Sequence, residues 1–262
     1  MKRRSLLLCA ALLPAAGLCA DPPVDTAALM ARVDKQSRPA FERARLRMEL
    51  RGDGPPIVRE LDAYNQTGNG TRISVLKFLA PANVQSVGLM VVEEAGTTTA
   101  IWHYLPATRN MRRISSEHRQ NRFMGTELVF EDFEGLKLDK YRFDWLRAEP
   151  CAAAGAEGRC QVIEARATDA RESQTSSYGR KVFWISAERE SIVKTELYGR
   201  DGQLFKVFES EDFRLVGNAW RAHRQTMRHL GSGRQTVIEE ITRQVNVPFD
   251  PYHVSQQFLR SE

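Results

Sequence analysis

The sequence predicts a mainly β protein of 262 residues whose strands run antiparallel within one domain. Ala44, Leu46, Met48 and Leu50 alternate with charged residues, and this period of two is typical of a strand with one buried face. Turn sequences rich in Gly, Asp and Pro recur about every ten residues, with little helical spacing between them. Because parallel strands need crossover helices, we expect an antiparallel sheet. About a dozen successive strands should either curl into a barrel or split into packed sheets.

The elements can be placed in order along the chain. A helix is predicted from about residue 25 to residue 36, with Asp25 and Thr26 as its caps. The Arg-rich segment 106–135 lacks sustained alternation and is predicted to be irregular, and residues 252–259 are predicted to form a short terminal helix. Strands are predicted at about residues 44–51, 57–66, 71–79, 87–94, 98–105, 136–147, 161–168, 180–186, 192–198, 204–215, 219–230 and 234–245.

The first twenty residues have the three-part form of a secretory signal peptide. Basic residues at positions 2–4 precede an apolar run at 6–13, and small residues lead to a cleavage point after Ala20. The domain is therefore predicted to occupy residues 21–262. A lipid anchor at Cys19 would need a small preceding residue, but a leucine stands there. No later stretch approaches 18 uninterrupted apolar residues, so the mature chain is predicted not to span a membrane.

The charge balance argues against a nucleic-acid-binding protein. The whole chain has a formal charge of +5, but three of its basic residues fall in the predicted signal peptide. The remainder has 35 basic and 33 acidic residues, whereas nucleic-acid-binding proteins usually concentrate a much larger positive excess. We therefore predict no nucleic-acid partner.

Export gives a meaning to the two cysteines that remain in the mature chain. Cys151 and Cys160 form an even pair in an oxidising compartment, where such a pair most simply forms a disulfide. The eight residues between them are mostly small, as expected of a loop between two strands. A redox pair, the alternative, usually needs the closer C-x-x-C spacing.

The sequence offers little catalytic chemistry. It has no H-E-x-x-H, C-x-x-C, EF-hand or G-x-S-x-G motif. His223 and His229 would lie about 20 Å apart on one strand, too far for a shared metal. The neighbouring carboxylates Glu131, Asp132 and Glu134 could do acid–base work but are more typical of capping or salt-bridging groups. We predict no enzyme activity, no metal and no cofactor.

Several predicted strands are apolar on both faces. Val182 and Trp184 share one face of a strand whose other face carries Phe183 and Ile185. Such a sheet needs cover on both sides, so one side could pack against helices while the other lines a cavity for an apolar ligand. Ordinary core packing is the alternative for each position.

Several motifs resemble one known family. W-H-Y-L-P at residues 102–106, R-R-I at 112–114 and F-M-G-T-E-L-V-F-E-D-F at 123–133 are similar to the LolA-like outer-membrane lipoprotein-sorting proteins of Gram-negative bacteria. K-T-E-L-Y-G-R-D at 194–201 and V-S-Q-Q-F-L at 254–259 extend the resemblance over essentially the whole mature chain. Three positions depart from the family pattern, which has Asp, a hydroxyl residue and Tyr where this chain has Glu127, Val129 and Phe130.

The resemblance implies an unclosed antiparallel β-barrel with an N-terminal helix and a helical or irregular lid, enclosing an apolar cavity that accepts acyl chains. It implies a periplasmic carrier of lipoproteins or lipids towards the outer membrane, working as a monomer beside an inner-membrane exporter of the resistance-nodulation-division (RND) type. The lid is expected at residues 106–135. A non-transporting module that senses lipid or binds an envelope protein is the alternative, and lipid hydrolysis is a remote third.

Candidate site residues follow from the aromatic and charged positions of these motifs and, for Trp184, from the apolar strand faces. The residues expected to line the cavity or its mouth are Trp102, Tyr104, Phe123, Met124, Phe130, Phe133 and Trp184. Residues that could latch the lid or meet an anionic headgroup are Arg112, Arg113, Glu131 and Asp132. The alternative for these charged groups is a solvated surface.

Overall fold

Thirteen strands form one antiparallel sheet in the computed structural model, which describes residues 24–94, 96–154 and 156–261. The predicted signal peptide at residues 1–20, including Cys19, lies outside these residues. None of the helices among the described residues has the length and apolar character needed to cross a membrane.

Few helices lie between the strands, as the sequence predicts. The helices are α1 Thr26–Ser37, α2 Ala170–Thr175 and α3 Gln256–Arg260. The strands are β1 Phe41–Arg51, β2 Ile57–Gly68, β3 Thr71–Ala80, β4 Gly88–Glu94, β5 Ala100–Leu105, β6 Asn110–Ile114, β7 Tyr141–Pro150, β8 Arg159–Ala167, β9 Arg180–Ser186, β10 Ser191–Tyr198, β11 Leu204–Val216, β12 Ala219–His229 and β13 Gln235–Val245. Single 3₁₀ turns occur at Pro106–Thr108, Ser116–His118, Phe130–Phe133, Cys151–Ala154 and Pro251–Val254.

The sheet is curved but not closed. Its strand order is β6-β5-β4-β3-β2-β1-β13-β12-β11-β10-β9-β8-β7, so β6 and β7 form its two edges. Ile101 on β5 and Leu197 on β10 belong to one buried cluster, although seven strands lie between theirs in the sheet. A flat sheet would hold these residues far apart, so the sheet must bend around a concave face. The predicted unclosed antiparallel barrel is confirmed.

Helix α1 covers part of the concave face. The Asp25 carboxylate accepts a hydrogen bond from the Ala28 N–H at 2.9 Å, which caps the helix as the sequence predicts. Leu29 and Val33 are buried from one side of the helix, where they pack with Phe183 and other residues of β8 and β9.

The opposite, convex face is covered by the C-terminal segment. Leu259 of α3 is fully buried against Val75 and Met90. Gly88 on β4 permits this approach, because a Cβ there would lie 2.5 Å from the Leu259 Cδ1 atom. Parts of both faces of the sheet are therefore covered, in agreement with the strands that are apolar on both sides.

Four local differences separate this fold from the predicted elements. Strand β6 lies inside the segment predicted to be irregular, because Arg112 and Arg113 are both exposed and leave no hydrophobic alternation to detect. Strand β7 begins at Tyr141 instead of near residue 136, and helix α2 was not predicted. The predicted terminal helix is a 3₁₀ turn followed by α3.

The predicted disulfide is confirmed. Cys151 and Cys160 are bonded with their Cα atoms 4.9 Å apart. Both cysteines are buried, and the bond closes a loop at one end of β7 and β8.

Candidate functional site

A lid, residues 115–135 between β6 and the approach to β7, crosses the concave face. Phe123 is its most buried ring, with 0% exposure. Its ring centroid lies 4.9 Å from that of Phe133, 5.7 Å from that of Phe130 and 5.9 Å from that of Phe78 on β3. His103 on β5 packs edge-on against Phe123 and Phe130. We call these five rings the aromatic plug, because they fill the space between the lid and the sheet.

A tight turn directs Phe123 inwards. Met124 and Gly125 both have positive φ, 49° and 76°, which reverses the chain within two residues. The Thr126 hydroxyl donates to the Phe123 carbonyl at 2.6 Å, and the Arg122 Nε donates to the Thr126 carbonyl at 2.8 Å. The turn is therefore closed by its own side chains.

Next to the plug lies a cavity of about 170 Å³. Its apolar wall includes Leu128, Phe143, Phe183, Leu197, Phe208 and Met227. Leu128, Leu197 and Met227 also pack in the cluster that contains the plug, so the plug and the cavity share one wall. Pockets that enclose drug-sized ligands measure about 300–1,000 Å³. The cavity as it stands is smaller, and a long acyl chain would have to displace the plug.

The other wall of the cavity is charged. The charge cluster consists of Arg119, Lys137, Lys181, Glu131, Asp132, Glu134 and Glu172. Arg119 forms two hydrogen bonds with the Glu172 carboxylate, one of them from Nη1 to Oε2 at 3.0 Å. Lys137 bridges Glu172, at 3.0 Å, and Glu134. Glu131 lies 3.8 Å from Arg119. The cluster ties the lid to α2, which carries Glu172, and to β9, which carries Lys181.

Ion pairing shifts the pKa of Glu172 and of Arg119 in the charge cluster. Burial tends to raise the pKa of Glu172, but hydrogen bonds and charge from Arg119 and Lys137 outweigh it and lower the pKa to about 2. Burial likewise opposes the charge on Arg119, but Glu134 and Glu172 raise its pKa above the ordinary value.

Among the described residues, no three His, Cys, Asp or Glu side chains group so as to hold a metal ion.

Asp132 differs from the other carboxylates of the cluster. It accepts hydrogen bonds from the Val129 N–H and the Tyr178 hydroxyl, each at 2.8 Å. No cation among the described residues lies within ion-pairing distance of it. Burial, followed by the charge of neighbouring Glu131, raises the pKa of Asp132 from 3.8 to about 6.

We therefore expect Asp132 to make the stability of the protein pH-dependent. Its raised pKa means that the folded state binds this proton more tightly, so its contribution to stability is complete below pH 3.8 and is lost as pH rises through about 6. Relative to the Asp132→Asn variant, the wild-type protein should gain stability as pH falls from about 7.5 to about 5. His103, whose pKa is lowered by burial, acts in the opposite sense but is present in both proteins.

Denaturant unfolding of both proteins across this pH range, with carboxyl NMR titration of Asp132, measures the effect. A stability difference that does not change with pH, or an Asp132 pKa near 3.8, would contradict the expectation.

The lid brings four of the predicted lining residues together. Phe123, Phe130 and Phe133 form the plug with Phe78 and His103, and Met124 packs at its edge. None of the four borders the cavity of about 170 Å³ in the arrangement observed. They instead occupy the adjacent space.

The other three predicted lining residues lie on the convex face. Trp102 and Tyr104 pack with the C-terminal segment, whereas the alternating residues Ile101 and His103 face the lid. Trp184 packs beside the disulfide and donates from Nε1 to Glu149 at 2.5 Å.

Of the predicted charged residues, two are in the cavity wall and two are at the sheet edge. Glu131 and Asp132 belong to the charge cluster. Arg112 and Arg113 are exposed on β6 and contact neither carboxylate. The cations that contact Glu131 are Arg119 and Lys181.

Sequence reasoning missed Arg119, Lys137, Glu172 and Lys181. One available signal was Lys181, a charged residue that shares a strand face with the apolar Phe183 and Ile185. A buried lysine charge is costly unless a carboxylate pairs with it, and the acidic lid motif could supply that carboxylate.

Comparisons with known proteins agree with this fold. A family model described as "Uncharacterized protein" matches residues 70–261. Among curated proteins, none matches the chain.

Solved structures share the whole architecture at low sequence identity. A domain assigned to outer-membrane lipoprotein sorting from Vibrio parahaemolyticus has 23% identity and a TM-score of 0.80, with coverage of 88% of this chain and 97% of its own. A DUF1329 family protein from Desulfovibrio piger has 20% identity and a TM-score of 0.80, with coverage of 89% and 97%. The LolA superfamily protein NE2245 from Nitrosomonas europaea has 16% identity and a TM-score of 0.67, with coverage of 90% and 100%. These similarities establish a LolA-like fold.

Proposed function

Because the chain belongs to the family of uncharacterised proteins whose model matches residues 70–261, and has the LolA-like fold, we propose that it is a periplasmic lipid carrier. It sequesters the acyl chains of lipoproteins or lipids for transfer towards the outer membrane. We propose that it works beside an inner-membrane exporter of the RND type, and that the carrier catalyses no reaction.

The observation that supports carriage is the wall shared by the cavity and the aromatic plug. Leu128 borders the cavity and accepts a hydrogen bond from the Phe123 N–H. Leu197 and Met227 border the cavity and belong to the same hydrophobic cluster as the plug, so withdrawal of the plug would join the two spaces into one apolar groove along the concave face. Phe123, Met124, Phe130 and Phe133 would then contact the cargo. Burial contributes about 0.8 kcal/mol for each CH₂ group, so a chain of about 14 carbons could gain on the order of 10 kcal/mol before the cost of opening the lid.

The small volume of the closed cavity supports a second candidate function. A protein that holds its lid shut around about 170 Å³ could act as an interaction module of an envelope complex, sensing lipid without transporting it. The two candidates differ in whether lipid accompanies the protein in stoichiometric amount.

Cavity filling provides the test. Ala165 on β8 is fully buried and borders the cavity, so an Ala165→Leu change should occupy space that the acyl chain needs. Ala44 on β1 is also buried but does not border the cavity, and Ala44→Leu is the matched control. Native mass spectrometry of the periplasmic protein, followed by organic extraction, would measure bound lipid, and thermal melts would check folding.

We expect wild-type protein and Ala44→Leu to carry about one lipid each, and Ala165→Leu to carry several-fold less. Equal lipid in all three proteins would place the cargo elsewhere. An empty wild-type protein that copurifies with a protein partner would instead support the interaction module.

A further inference from the structure

A second, open depression lies on the other side of the lid from the cavity. This basic groove has a volume of about 540 Å³. The residues of the groove that matter here are Arg122, Glu127, Phe205, Lys206, His229 and Arg234. They come from the lid, from β11, from the last residue of β12, His229, and from the connection between β12 and β13. These segments meet at one end of the sheet.

The basic groove has more positive than negative charge. Its one carboxylate, that of Glu127, is 3% exposed and pairs with both Arg122 and Arg234, the latter from Nε at 3.1 Å. Lys206 donates from Nζ to the Glu127 backbone carbonyl at 2.6 Å. Three cations therefore face a single carboxylate, which leaves an excess of two positive charges.

The two arginines remain accessible to a ligand. Their side chains are 40% and 42% exposed although both contact Glu127. Arg guanidinium groups present several N–H donors in a plane and bind phosphate and carboxylate oxygens in pairs. Ser177 and Ser232 add hydroxyl groups to the walls of the groove.

A short stretch of the lid separates the basic groove from the cavity. Glu127 and Val129 border the groove, whereas Leu128 and Asp132 border the cavity. Any movement of this stretch away from the sheet would connect the charged and apolar spaces. One end of an amphiphile could then lie in each.

We propose that the basic groove binds the phosphate of an anionic amphiphile whose acyl chain enters the cavity. This inference rests on the proposed carrier function and names the chemical class of its cargo. Arg234 and Arg122 hold the phosphate oxygens. Without ligand, the Glu127 carboxylate pairs with both arginines, so it competes with the phosphate for them.

Two substitutions should change phosphate recognition in opposite directions. Arg234→Gln removes one exposed donor and one positive charge, and we expect about three- to tenfold weaker binding of the anionic amphiphile. Glu127→Gln removes the competing carboxylate, and we expect binding to become several-fold tighter. Arg112→Gln is the matched control, because Arg112 is exposed on β6 and outside the groove, and its loss should change affinity little.

Isothermal titration of the full mature protein with three probes tests the proposal. The probes are a lysophosphatidic acid, the monoacylglycerol with the same acyl chain, and inorganic phosphate, with the lipids below their micelle concentrations. We expect the lysophosphatidic acid to bind at least tenfold more tightly than the monoacylglycerol. Among the proteins, Glu127→Gln should bind the lysophosphatidic acid most tightly, wild type less tightly and Arg234→Gln most weakly. Thermal melts confirm that each variant is folded.

Three results would overturn the inference. Equal binding of the two lipids would leave the carrier function standing and remove the phosphate site. Equal losses in Arg234→Gln and Arg112→Gln would indicate general charge attraction. Inorganic phosphate that binds in an Arg234-dependent manner but does not compete with the lysophosphatidic acid would identify a free-anion site. If neither lipid binds, the proposed function itself fails.

Discussion

Replacing Arg119 with methionine should lower the free energy of unfolding by about 3–5 kcal/mol. Arg119 is buried in the charge cluster, where it binds Glu172 through two hydrogen bonds and lies 3.8 Å from Glu131 and 3.5 Å from Glu134. Methionine would fill much of the same volume but would leave these buried carboxylates short of positive charge. Uncompensated buried charge is among the most costly defects in a folded protein.

Urea unfolding near neutral pH measures this loss, and Arg112→Met is the matched control. Arg112 is exposed on the edge strand β6, so its replacement should change stability by about 0.5 kcal/mol or less. The penalty for Arg119→Met should shrink as pH falls, because the stranded carboxylates can then take up protons. Similar stabilities for the two variants would contradict the idea that the charge cluster holds the lid in place.

The sheet could be predicted because its signals are local. The alternation through Leu46, Met48 and Leu50 places these residues on one strand face, where they pack into the main core. Asp25 caps α1 as expected, and Cys151 is bonded to Cys160. Each of these features depends on residues close together in the sequence, so no knowledge of the tertiary fold was needed.

The choice of sheet face could not be predicted in the same way. Trp102 and Tyr104 alternate with Ile101 and His103, and both pairs are largely nonpolar. A period of two separates the two faces of a strand but does not say which face is concave. The structure turns Ile101 and His103 towards the lid, so the larger aromatic residues pack under the C-terminal segment.

The charge cluster was beyond sequence reasoning for another reason. Arg119 and Glu172 are separated by 53 positions, and Lys181 lies 50 positions from Glu131. No repeat or spacing links these residues, because they meet only through the tertiary contacts of the lid, α2 and β9. The acidic lid motif indicated that cations were needed, but the sequence analysis assigned them to Arg112 and Arg113 of the R-R-I motif, although Arg119 and Arg122 lie closer to Glu131 in the chain.

The aromatic plug and the charge cluster place different constraints on the proposed carrier. The plug fills the apolar space that cargo needs, whereas the cluster fixes the segment that would have to move. Cargo can therefore enter only if the burial of its chain replaces the contacts of the plug rings. Weakening the plug alone should loosen the aromatic part of the lid while the ion pairs of the charge cluster still hold its ends.

Replacing Phe123 with alanine should accordingly lower the free energy of unfolding by about 3–5 kcal/mol. Phe123 is fully buried, and its ring contacts Phe78, Phe130 and Phe133. Its loss would leave a cavity that adjoins the existing one, since Leu128 borders both spaces. We expect the first consequence to be local, with faster amide hydrogen exchange across residues 115–135 than in the strands.

Leu259→Ala is the matched control for this variant. Leu259 is also fully buried, but it packs on the convex face against Val75 and Met90. Its truncation should lower the free energy of unfolding by about 2–5 kcal/mol without faster amide exchange in the lid. Unfolding in urea gives the global loss, and hydrogen exchange read by mass spectrometry gives its location. Because Phe123→Ala empties space that an acyl chain can fill, added lipid should restore its stability more than that of Leu259→Ala. Equal exchange in the lids of the two variants would mean that Phe123 stabilises the whole sheet, and lid opening would then have to depend on the charge cluster alone.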